Sequence, residues 1–229
     1  MPPDGSAEKH APVAVVFARP SLSCLIELVL RHLGVRTAAT ASATRARELV
    51  LSLHPALLVT DIGRGPSARR LLEKGSARAT LALIDLDGGA SSTTAFRGGA
   101  GDVMRVPFTP DELAVRAAQL LRRYGVTTSL VRNVAVQGVE LSLDEYAHVG
   151  SRTIALSAPQ NSLLYLLVAN AGRRIAPADV RELCWGVEHT AGGPEVEGAI
   201  AGLERSLAPS DVLRIERVKG GVIARMALA

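Results

Sequence analysis

The sequence predicts a doubly wound α/β layer followed by a smaller α+β unit. Three observations carry that expectation. Between residues 12 and 124, short apolar runs alternate with helical patterns through five βα repeats. After residue 133 this gives way to strand-period segments and then consecutive helical patterns, and the chain closes on a strand pair turning at Gly220-Gly221. Strands that alternate with helices imply a parallel sheet covered on both faces, and five such repeats match a flavodoxin-like winding.

Element by element, "PVAVVFA" reads as a buried strand and "SLSCLIELVLRHLG" as a helix, with Ser21 as its cap and Gly34 as its stop. "VRTAAT", "ALLVTD", "TLALIDL" and "DVMRV" are the next strands. Between and after them come the helices "SATRARELVLSLH", "PSARRLLEKG", "SSTTAFRGG" and "TPDELAVRAAQLLRRYG". In the last of these, Leu113, Ala117 and Leu120 form the sheet-facing stripe. Residues 1–11 are expected as a flexible tail, 12–124 as the α/β unit, 125–133 as a linker and 134–229 as the second unit. There, "VAVQGVELSLDEYAHVGSRTIALS" has strand alternation with turns at Gly138, Asp144 and Gly150. Three helices follow: "APQNSLLYLLVANAG" with Ser157 as cap, "APADVRELCWG" with Pro177 near its start, and "GPEVEGAIAGLERSLA".

Hydrophobic residues at 48% and charged residues at 21% are enough to build a core and exclude general disorder. No apolar run approaches the ~20 residues of a membrane span, and "MPPDGSAEKHAP" lacks a signal-peptide core. Cys24 and Cys184 lie in helical patterns far apart, which fits a reducing cytoplasm, and the five histidines lack metal-ligand spacing. No nucleophile–base pair or phosphate-cradling glycine loop is present, so neither an enzyme nor a cofactor is expected. Charge is uneven. Residues 1–125 hold 16 Lys/Arg against 11 Asp/Glu, and residues 126–229 hold 10 against 11.

"PALLVTDIG", "GAGDVMRVPFTPDELAVRAAQLLRR", "IALSAPQNSLLYLLVANAGRRIAPADVRELCWG", "IAGLERSL" and "RVKGGVI" occur in that order. Taken together, they resemble an OmpR/PhoB-type two-component response regulator, a receiver domain followed by a winged helix-turn-helix. The resemblance implies a phosphoacceptor aspartate at the end of the third strand, where Asp61 stands. It also implies an acidic pair closing the first strand, a hydroxyl after the fourth and a lysine before the Pro-Phe turn. Here those positions hold Phe17 and Ala18, Asp85, and Val106. Phosphoryl transfer needs Mg²⁺ held by carboxylates together with charge-stabilising donors. Losing one preorganised donor already costs about 3–4 kcal/mol in the transition state. A degenerate receiver is therefore expected, with Asp61 as a strand-end carboxylate that hydrogen-bonds loop amides or pairs with a nearby cation, Arg19 or Arg105. A second reading makes Phe17, Ala18, Asp85 and Arg105 the lining of a small-ligand cleft.

The resemblance further implies a homodimer through the charged positions Asp102, Glu112, Arg116 and Arg123, although Arg97 stands where an acid is usual. For the winged half it implies contacts to double-stranded DNA, with Arg205, Arg217, Lys219, Arg214 and Arg174 as the candidate cations. Its reading helix nevertheless carries Glu195, Glu197 and Glu204, which oppose phosphates. Two readings follow: a phosphorylation-independent, DNA-binding regulator, and a winged-helix interaction module for a partner such as RNA polymerase or another regulator.

Overall fold

The computed structural model describes residues 11–73, 76–85, 91–185, 194–208 and 210–227. Nearly all of the expected N-terminal tail lies outside them. Five parallel strands form the first sheet: β1 (Val13–Phe17), β2 (Arg36–Thr40), β3 (Leu57–Asp61), β4 (Ala79–Asp85) and β5 (Asp102–Val106). They pair in the order β2-β1-β3-β4-β5, the doubly wound arrangement. Every residue of β3 is buried, because a central parallel strand is covered from both sides.

The connecting helices are α1 (Pro20–Leu30), α2 (Ala43–Leu53), α3 (Pro66–Arg70), α4 (Ser92–Gly98) and α5 (Pro110–Arg123). Pro20 opens α1 at a position where its missing N–H costs nothing, and Ser42 accepts from the Arg45 N–H to cap α2. The expected helix over "PSARRLLEKG" is shorter than its pattern, since α3 ends at Arg70 in a tight turn. Alternate β-strand residues send their side chains to opposite faces. Val15, Phe17 and Leu58 pack with Ala46, Val50, Ala68 and Leu71 on the α2–α3 side, while Ala14, Val16, Leu57 and Val59 join α1 and α5 on the other.

The second half begins with an antiparallel sheet of β6 (Asn133–Val136), β7 (Val139–Ser142), β8 (Tyr146–Val149) and β9 (Arg152–Ala155). Next come α6 (Ala158–Ala169), β10 (Arg174–Ile175), α7 (Pro177–Cys184), α8 (Pro194–Leu207) and the hairpin β11 (Leu213–Val218) and β12 (Gly221–Met226). Ser157 and Gln160 close a capping box at the start of α6. A Cβ on Gly221 would come within 2.1 Å of the Ile175 carbonyl oxygen, so only glycine lets β10 lie against this hairpin. Three helices packed beside a terminal hairpin give a winged helix-turn-helix. Among the described residues no helix is long and apolar enough to cross a membrane.

The two halves share one core. Helix α6 is apolar on every side, and Leu163, Leu164, Tyr165, Leu166 and Leu167 are all buried. Such a helix must be covered all round. Its own half covers one side; α1, whose Leu22, Leu25, Ile26 and Val29 belong to the same cluster, covers another. Polar contacts fix the register. The Asn170 side-chain amide donates to the Ser21 carbonyl (3.1 Å), and the Arg31 guanidinium to the Ala135 carbonyl (3.2 Å).

At the centre of this seam His32 and Tyr165 are both fully buried. His32 Nδ1 lies 2.9 Å from the Val131 carbonyl oxygen, and Nε2 lies 2.8 Å from the Tyr165 hydroxyl. A carbonyl only accepts, so Nδ1 carries the proton and neutral Nε2 accepts from Tyr165. The Val131 N–H returns a bond to the His32 carbonyl, tying the expected linker down on the first half.

Burial pushes the His32 pKa below its ordinary value, against the pull of the Val131 carbonyl. A base depressed on folding binds fewer protons folded than unfolded, so its stabilising contribution is complete above the unfolded value near 6.5 and shrinks as pH falls. Urea denaturation is expected to show stability falling below about pH 6.5. Tyr165→Phe, which strands the buried Nε2, is expected to lose about 1–3 kcal/mol at neutral pH.

Candidate functional site

The end of β3 lies at the carboxyl edge of the sheet, where open α/β folds place their ligands. Asp61 is buried there and accepts from the Gly63 N–H at 3.1 Å. The Asp85 carboxylate shares the same spot: a Cβ on Gly63 would lie 2.9 Å from Asp85 Oδ2 and 3.2 Å from Asp61 Oδ1. Burial, and then the charge of Asp85, raise the Asp61 pKa, while the Gly63 N–H, Arg64 and Arg19 pull the other way.

Neither arginine expected to partner Asp61 makes a contact ion pair with it. Arg105 is exposed, and Arg19 reaches across the seam, placing Nη1 2.6 Å from Glu182 and 3.8 Å from Asp179, both on α7. Burial disfavours the Arg19 charge, but the hydrogen bond and charge of Glu182 more than offset it and raise its pKa. Within-sheet charge balance thus becomes a link between the two halves, because α7 brings two carboxylates closer than Asp61 can come.

Phe17 and Ala18 fill the first-strand end. Their exposures are 3% and 0%, so both side chains are packed into the fold rather than standing open at this edge. The Phe17 ring packs into the α2–α3 core, and the Arg64 guanidinium lies 5.4 Å from its centroid, a cation–π contact over the mouth. Val106 is buried and apolar where a phosphate-binding cation is implied. A magnesium ion does not fit these residues: two carboxylates remain, a cation caps the aromatic ring, and among the described residues no group of three His, Cys, Asp or Glu gathers to hold a metal.

On the α5 side the expected charged residues do come together. Arg116 donates through Nε to Glu112 (2.9 Å) and lies 3.4 Å from Asp102, while Arg123 donates to the Gly101 carbonyl. Phe96 of α4 and Val115 of α5 are exposed.

In the winged half, α8 buries Val196, Ile200, Leu203 and Leu207 and presents its acids outward. Arg217, expected as a free cation, is not free. It donates to Glu204 at 2.9 Å and also to Glu197, so one wing arginine clamps two acids of α8 and its own pKa is raised. Arg214 pairs with Asp211, and Arg174 donates to the Gly220 carbonyl. Arg205 is exposed and bonds only its own helix's Ala201 carbonyl, and Lys219, at the hairpin turn, has no carboxylate partner among the described residues. Gly202 lies against the Gln160 side chain, whereas a Cβ on Gly198 would meet nothing.

The "Response regulator MprA" of Mycolicibacterium vanbaalenii is 28% identical over 184 residues, covering 76% of this chain and 80% of that protein. The "Probable transcriptional regulatory protein TcrX" of Mycobacterium tuberculosis is 28% identical over 183 residues, covering 76% and 77%. The relatives it is similar to are thus named as a response regulator and a probable transcriptional regulator. No protein-family model matches it. Among solved structures, the Thermotoga maritima OmpR/PhoB homologue DrrB aligns over 95% of this chain and 99% of its own, at 18% identity and a TM-score of 0.41. Phe17, Ala18 and Val106 are the positions where this chain departs from what the sequence resemblance implies.

The sequence reading missed Arg19–Glu182 and His32–Tyr165, since neither pair is close in sequence. One clue was available: "SLLYLLVA" has no polar face, which marks a helix buried on all sides. A double-mutant cycle of Arg19→Gln and Glu182→Gln in urea is expected to give a coupling of about 1 kcal/mol, the scale of a partly buried surface pair.

Proposed function

We propose that this response-regulator homologue is a DNA-binding transcription regulator of the cytoplasm that works as a homodimer without phosphoryl transfer. Its receiver-like unit covers residues 12–124, joined through 125–133 to a winged unit at 134–229. The observation that carries phosphorylation independence is the buried Phe17 beneath the Arg64 guanidinium, where the resemblance implies a carboxylate-held cation. Asp61 keeps its place as a nucleophile without the groups that would stabilise a transferring phosphoryl.

DNA contact is assigned to α8 and the β11–β12 hairpin, with Arg205 and Lys219 meeting phosphates directly. Arg214 and Arg174 assist from the strand and the turn. Arg217 acts differently: it neutralises Glu197 and Glu204, reducing the repulsion that an acidic reading helix would exert on phosphates. The cluster of Asp102, Glu112, Arg116 and Arg123 supports a dimer face on α5, with Phe96 and Val115 as apolar contacts beside it. The same acids of α8 favour one other reading, a protein-interaction module for RNA polymerase or another regulator.

Two experiments test this. Incubated with acetyl phosphate and Mg²⁺, the protein is expected to remain unmodified by mass spectrometry and to sediment as the same dimer. Asp61→Asn is expected to match it, and stoichiometric aspartyl phosphate would end the proposal. In a salt titration against duplex DNA, affinity is expected to fall steeply with added salt. Glu197→Gln/Glu204→Gln, which releases Arg217, is expected to bind more tightly and steepen the salt slope by about one. Binding that is absent at low salt, about 50 mM, or indifferent to salt would favour the interaction module.

A further inference from the structure

A groove of about 480 Å³ runs between α2 and α3. It belongs to none of the sites above. The winged half covers α1 and α5, on the opposite face of the parallel sheet, so the groove opens away from α8 and its hairpin. Its volume falls in the range of small-molecule sites, roughly 300–1,000 Å³.

Two chemistries meet there. Val50 and Leu71 form an apolar floor, and Leu51 extends it as a wall although 64% of its surface is exposed. Arg47 and Arg70 line the groove from α2 and α3, and Thr44 and Ser67 add hydroxyls. Neither arginine has a carboxylate within 4 Å among the described residues, whereas Arg45, one residue from Thr44, is paired with Glu48 at 2.9 Å. Glu73 is the lining carboxylate that opposes an anion, one against two guanidinium groups.

We propose that this groove binds a small molecule carrying a phosphate group on an apolar or planar body. The guanidinium groups hold the phosphate through charge-assisted bonds, and the hydroxyls fill its remaining acceptor positions, more than a planar carboxylate offers. The body lies against Val50, Leu51 and Leu71 and removes the exposed leucine from water. A duplex engaged by α8 and the hairpin lies on the other side of the molecule. The site is therefore independent of DNA binding, and its failure would leave the proposed function standing.

The test is calorimetric titration of the full chain with inorganic phosphate, phenyl phosphate and ADP. Phenyl phosphate and ADP are expected to bind more tightly than inorganic phosphate, because they alone cover the apolar wall. Arg47→Gln and Arg70→Gln are each expected to weaken binding by about 10- to 100-fold. Arg45→Gln is expected to bind like the parent, and thermal melting confirms that the exposed-arginine variants fold. No heat from any probe up to about 10 mM would overturn the proposal. So would binding unchanged in both groove variants, or displacement of ADP by duplex DNA or polyglutamate, which would make the groove a macromolecular contact.

Discussion

Burial of α6 on every side is the constraint from which the arrangement of the molecule follows. A helix with the sequence "SLLYLLVA" presents no face that water can solvate, and the winged half alone cannot cover all of it. Docking α1 on its open side turns two small cores into one continuous cluster. Each fully buried leucine or isoleucine in that seam contributes about 1.5–3 kcal/mol relative to exposure. Polar groups caught inside must then find partners: His32 takes Tyr165 and Val131, Asn170 takes the Ser21 carbonyl, and Arg19 takes Glu182 and Asp179.

This seam changes the meaning of the strand-end edge. In a phosphoryl-accepting site the cations and carboxylates near the acceptor serve the transferred group. Here Arg19 pairs with α7, Arg64 lies over the Phe17 ring, and burial together with the charge of Asp85 raises the Asp61 pKa. The edge has become part of the scaffold that holds the winged half in place. The two halves are tied at this edge by Arg19 reaching Glu182 and Asp179.

The winged half shows a similar economy of charge. With 11 Asp/Glu against 9 Lys/Arg over residues 134–229, it pairs Arg214, Arg217 and Arg225 with its own carboxylates, and Arg217 spans from the hairpin to two carboxylates of α8. Exposed pairs of this kind contribute under about 1 kcal/mol each to stability. Their larger effect is on the field that α8 shows to an approaching partner.

The sequence by itself determined the order and type of the elements, the parallel sheet, the capping of α6 and the sheet-facing stripe of α5, while the cap expected at Ser21 moved to Arg19 because Pro20 opens α1. The determined features are local: they rest on periodicities of 2 and 3.6 residues and on caps within three residues. The charged set on α5 was also readable, because Glu112 and Arg116 are one helical turn apart. Tertiary structure alone decided the partners of Arg19, His32 and Arg217 and the burial of Phe17. Arg19 and Glu182 are 163 residues apart, and His32 and Tyr165 are 133 apart. No local pattern encodes such pairs. They are selected when apolar burial brings α1 and α6 together and the enclosed charges and hydrogen-bonding groups take the nearest partners left to them.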